Sequence, residues 1–104
     1  MTSEEIIRDY YQAWIDSDRD RARAFLADDL KFRSPDDEFD TADSFLDKCW
    51  VFSEGFDRMD MVHELYGEAG GYIVYSFGEF ACGELIKTRD GKIVEIYVTF
   101  QPTR

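Results

Sequence analysis

Apolar positions near the start of the chain recur with a helical period. Thr2 and Ser3 stand ahead of Glu4 and Glu5. Hydroxyls can cap free N–H groups and acids favour a first turn, so a helix is expected to begin here. At about 100° per residue, Ala13, Tyr10, Trp14, Ile7, Tyr11 and Ile15 fall on one broad arc, and Arg8, Asp9, Gln12 and Asp16 share the other. The apolar arc exceeds half the circumference, which predicts a mostly buried helix ending near residue 16. Ser17-Asp18 breaks the pattern and can cap a second helix over about residues 19–27, with Ala22, Phe25 and Leu26 on one face. The run from Phe25 to Phe32 then reads as a helix end, an acidic turn at Asp28-Asp29 and a strand. In that strand Leu30 and Phe32 alternate with Lys31 and Arg33, up to a stop at Pro35. An acidic loop is expected over residues 36–40.

Thr41 can cap a third helix over about residues 42–53, with Phe45, Cys49 and Phe52 on one stripe and Gly55 as its stop. Beyond it the period changes to two. Met59, Met61, His63 and Leu65 read as one face of a strand, followed by a turn over residues 67–71. Strands over residues 72–77 and about 80–89 come next. Asp90-Gly91 is a two-residue hairpin signal, because both positions need positive φ, and residues 92–101 form the last strand. Helices segregated from strands predict an α+β domain, three N-terminal helices covering one face of a curved antiparallel sheet.

Length and charge narrow the possibilities. A chain of 104 residues fits one domain, 1–104. Nine Phe, six Tyr and two Trp supply bulk for a core or for the lining of a cavity. The net charge of −11 disfavours nucleic acid and anionic membranes as partners, since phosphate contacts need clustered Lys and Arg. Cys49 and Cys82 sit in apolar segments and read as reduced core residues. Met1 to Glu5 carries no basic stretch and no apolar run reaches spanning length, so a cytoplasmic location is expected.

The element order, Tyr10, Asp18, the FLADD run from Phe25 and the Asp90-Gly91-Lys92-Ile93 hairpin together resemble the nuclear transport factor 2-like superfamily, in its SnoaL-like and ketosteroid-isomerase-like branch. The resemblance covers nearly the whole chain. It implies a cystatin-like roll, a cone of bent sheet and helices around an apolar pocket, and a homodimer through the outer sheet face. Its members include isomerases, cyclases and dehydratases alongside non-catalytic binding domains, so it speaks to shape more than to chemistry.

Carried over by position, the isomerases' oxyanion-binding tyrosine falls on Tyr10. Their aspartate base falls on Ser34, whose hydroxyl is too weak to abstract a proton unaided. Their second donor, a carboxylic acid, falls on Gly83 in ungapped register and on Glu84 if the hairpin is one residue shorter; Glu84, Ile86 and Thr88 would then face the pocket.

Candidate roles stand beside plainer ones. Tyr10 would polarise a ligand carbonyl or be a core tyrosine. His63, the single histidine, would be a base or an interface residue; without partnering ligands it makes no zinc site, and neither metal nor cofactor is expected. Glu84 would be a desolvated donor or a solvated surface acid. Asp36, Asp37, Glu38 and Asp40 would rim a pocket or form a solvated loop. Trp14, Phe25, Phe32, Ser34, Phe45 and Cys49, with Ile96, Val98 and Phe100, are the expected lining. Outward Tyr75, Phe77, Tyr97 and Thr99 are expected to form the dimer face. The leading function is binding of a small, mainly apolar molecule, with metal-free acid–base chemistry of the isomerase, cyclase or dehydratase type as its enzymatic form. The alternative is a non-catalytic dimeric interaction module with a filled cone.

Overall fold

The computed structural model describes every residue except Met59, Gly78, Glu79, Thr103 and Arg104; for residues 55–58, 77, 80, 101 and 102 it describes the backbone alone. Helix α1 (Ser3–Ile15) starts as its sequence dictates: the Thr2 hydroxyl accepts from the Glu5 N–H while the Glu5 carboxylate accepts from the Thr2 N–H. It buries Ile6, Ile7, Tyr10, Tyr11, Ala13 and Trp14. Helix α2 (Arg19–Ala24), capped by Asp18, is a single short stretch and ends before Leu26. Leu26 already belongs to β1 (Leu26–Arg33).

The expected acidic turn is therefore an irregular part of β1, where the pairing register shifts between Leu26 and Lys31. Asp28 and Asp29 are exposed there, and Arg23 donates to Asp28. The acidic loop contains a two-residue strand, β2 (Glu38–Phe39), paired with the end of β1. Helix α3 (Ala42–Cys49), capped by Thr41, passes into a 3-10 segment (Trp50–Arg58) that runs through Gly55. Tightening the helix there leaves Phe52 exposed, off the Phe45–Cys49 stripe.

Strands β3 (Asp60–Gly67), β4 (Gly70–Phe77), β5 (Phe80–Arg89) and β6 (Lys92–Pro102) form a meander. Asp90 and Gly91 take φ of 54° and 78°, the two positive values that the hairpin needs. The six strands lie in one curved, open sheet of order β2-β1-β6-β5-β4-β3. It is not wholly antiparallel. Three successive hairpins bring β6 back beside β1 in the same direction, so that pair is parallel. Core residues Ile7, Leu30, Leu46, Ile73, Ile86, Ile93 and Ile96 fill the space between helices and sheet. Among the described residues no helix is long and apolar enough to cross a membrane.

Candidate site: a buried carboxyl between two tyrosines

Strand pairing decides which side chains reach the space under the helices. Directly opposed residues share a face, so Ile73, Glu84 and Val98 form one inward row and Tyr75, Cys82 and Phe100 the next. These rows, apart from Ile73, and Tyr10, Tyr11 and Trp14 of α1 surround a cavity of about 260 Å³. Phe32, Phe45 and Cys49 close one side, and Ser34, Asp36, Asp37 and Phe52 complete the lining. Trp14 packs against Trp50, ring centres 4.4 Å apart, and Phe32 stacks on Phe45 at 4.5 Å.

Glu84 is the polar centre of this cavity. Glu84, not Gly83, faces the cavity: a register shift between Lys87 and Thr88 pairs Glu84 with inward Val98 and Gly83 with outward Thr99. The Tyr11 hydroxyl donates to one carboxyl oxygen of Glu84 and the Tyr75 hydroxyl to the other. Burial pushes the Glu84 carboxyl above its ordinary range, while the two tyrosine hydrogen bonds pull it down. The Tyr11 and Tyr75 hydroxyls are themselves driven well up, by burial first and by Glu84 second. The Cys49 and Cys82 thiols are pushed to about 11, mainly by burial, so they stay protonated.

Proton counting shows what the cluster can offer. With Glu84 neutral, two hydroxyls and one carboxylic acid share two contacts, which leaves one O–H free to donate into the cavity. With Glu84 ionised, both tyrosine protons point at the carboxylate. No donor remains then, but two of its four lone-pair directions stay open.

The other expected residues divide. Tyr10 lines the cavity, yet the hydroxyl on Glu84 belongs to its neighbour Tyr11, whose ring it meets edge-on at 5.1 Å. Trp14, Phe32, Ser34, Phe45, Cys49, Val98 and Phe100 all line the cavity. Phe100 does so at a rim where it is 46% exposed. Phe25 and Ile96 do not. Phe25 caps α2, half-buried, and Ile96 is wholly buried in the row of Phe32 and Ile86. Ser34 and Asp37 are bound to each other in a tight turn, the Ser34 hydroxyl accepting from the Asp37 N–H at 3.0 Å. Asp36 and Asp37 reach the cavity; Glu38 and Asp40 do not, and Asp40 instead pairs with Arg33.

His63 is exposed and outside the cavity. Met61 opposes inward Tyr75, but His63 opposes Val74, so one extra residue at Val62 makes a bulge. The bulge puts Met61 and His63 on opposite faces, which breaks the period-two reading that grouped them. Met59 of the same grouping lies outside the described residues. The missed residues are Tyr11 and Tyr75. Tyr75, expected on the outer face, alternates in phase with wholly buried Ile73 and points inward, a signal present in the strand's own pattern. Phe77, expected beside it on the dimer face, has a side chain outside the described residues. Among the described residues no group of three His, Cys, Asp or Glu side chains could hold a metal ion.

No family model matches the chain, and no curated protein matches it. Solved structures do. A nuclear transport factor 2-like protein of unknown function from Cytophaga hutchinsonii superposes with a TM-score of 0.80 at 14% identity, over 98% of this chain and 92% of that one. A SnoaL-like protein of unknown function from Burkholderia thailandensis gives 0.71 at 15% identity, over 95% and 93%. An uncharacterised protein with a cystatin-like fold from Silicibacter pomeroyi gives 0.79 at 17%, over 93% and 74%. The chain therefore has the nuclear transport factor 2-like fold.

Proposed function

We propose that this nuclear transport factor 2-like fold is a binding protein for a small, mainly apolar molecule whose single polar group meets Glu84, Tyr11 and Tyr75. The observation that carries the reading is a buried carboxyl, hydrogen-bonded to two tyrosines, facing a cavity of about 260 Å³. That volume lies just below the roughly 300–1,000 Å³ common for drug-sized ligands, which favours a molecule of one or two rings. Aromatic walls supply the affinity and the carboxyl cluster supplies orientation. The isomerase, cyclase or dehydratase form lacks the base expected for it, since His63 sits on the outer face and the Ser34 hydroxyl is held in a turn.

Trp14 lines the cavity, so its fluorescence reports occupation. Titration with small cyclohexyl-bearing molecules should change it saturably, and Val98→Trp, which fills the cavity, should abolish the response. An unmutated chain with no saturable response to any of them overturns the reading.

Assembly as a homodimer is the second part of the proposal. Leu65, Tyr72, Leu85 and Tyr97 form one cross-strand row on the outer face, 74%, 42%, 39% and 37% exposed. A contiguous apolar row is more than a solvated face requires. Tyr97 and Thr99 lie on that face as expected, whereas Tyr75 points into the cavity.

A further inference from the structure

We propose that the molecule this cavity takes is a small protonated amine on an apolar body, its ammonium held by the Glu84 carboxylate. The inference rests on the cavity being a binding site and specifies which polar group is bound there. Its first support is charge. Glu84, Asp36 and Asp37 line the cavity, and among the described residues no Lys, Arg or His does. Lys48 of α3 is 2.5 Å from Asp37 and occupied by it. A carboxylate or phosphate ligand would meet like charge without a counter-ion. An ammonium would be drawn in by the same groups and by a chain of net charge −11.

The second support is the geometry at Glu84. Its two contacts leave two lone-pair directions of the ionised carboxylate open. The tyrosine hydroxyls hold that carboxylate in place. The rings of Tyr10, Tyr11, Trp14 and Tyr75 line the cavity around it, and a desolvated cation gains most where it lies over a ring face. The ammonium and the carboxylate that faces it are buried as a compensated pair, the condition under which burial of charge is tolerated.

The groups facing Glu84 are Tyr10 and Tyr11 of α1, Cys49 of α3, Tyr75 of β4 and Cys82 of β5, and all stay protonated because their ionisation is pushed upward. Asp36 and Asp37 lie farther out, at the loop after β1. Glu84 is therefore the group that changes state. The ammonium enters with its charge, the Glu84 O–H bond breaks, and its proton leaves to buffer, one for each amine bound.

The experiment is isothermal titration calorimetry of the full chain with three molecules on one skeleton: cyclohexylmethylamine, cyclohexyl methyl ketone and cyclohexanecarboxylate. Titrations in two buffers of different ionisation enthalpy, at several pH values from about 5 to 8, count protons released. The amine should bind at least about tenfold tighter than the ketone, the carboxylate should not bind, and amine binding should release up to one proton. Glu84→Gln should weaken the amine at least about tenfold and abolish proton release. A ketone that binds as well as the amine, or amine binding without proton release at any pH, overturns this inference and leaves the binding function standing. Failure of all three molecules counts against the binding function itself. Wild-type titrations decide the matter even if the variant does not fold.

Discussion

Replacing Glu84 by Gln should remove a pH dependence built into the core. Glutamine keeps the shape: its carbonyl can accept from one tyrosine hydroxyl while its amide donates to the other. It removes only the ionisation. In the unfolded chain Glu84 titrates as an ordinary glutamate near pH 4.3, about the model-peptide value, and in the folded chain burial holds it higher. Between those two points the folded state binds one proton that the unfolded state has lost. Stability then falls as pH rises, by up to about 1.4 kcal/mol per pH unit for one proton. Below the unfolded value the contribution is fully present, and above the folded value no more is lost.

The depressed carboxyls work in the opposite direction. Glu5 is lowered by its capping hydrogen bonds and Asp43 by Arg23, but both are present in wild type and variant and cancel in the difference. Urea unfolding of both proteins, followed by tryptophan fluorescence at pH 5, 6, 7 and 8, about one-unit steps, measures that difference. The variant should gain on the wild type as pH rises. A difference that stays flat, or moves toward the wild type, would show that Glu84 is not desolvated in the folded chain.

Trp14→Ala should cost about 3 kcal/mol, the low end of a large-to-small core change, because one side of the ring already borders the cavity; a denaturation midpoint that does not move would refute its placement. Tyr97→Asp should convert a homodimer to a monomer in light scattering, since it puts charge into the apolar outer row. A monomer at micromolar concentration in the unmutated chain refutes the dimer. His63→Ala should leave ligand affinity unchanged and stability within about 0.5 kcal/mol, as expected of an exposed residue outside the cavity. Loss of binding in that variant would mean the bulge at Val62 has been misassigned.

Sequence alone determined whatever depends on neighbours along the chain. The Thr2, Asp18 and Thr41 caps, the apolar arc of α1 and the Asp90-Gly91 turn act over a few residues, and each lies where local pattern puts it. So does the segregation of helices from strands, which was enough to give the fold. Most of the cavity lining was legible too, because bulky apolar residues on inward faces have nowhere else to go. What the chain's own pattern left open was facing, and there tertiary structure decided. The bulge at Val62 sends His63 outward although its local alternation with Met61 is regular. The shift at Lys87 and Thr88 settles Glu84 over Gly83. Tyr11 rather than Tyr10 reaches Glu84, because an arc wider than half a helix contains both and only the partner strand selects between them. In a sheet one residue of slip exchanges the faces, and that residue is chosen by contacts between strands far apart in sequence.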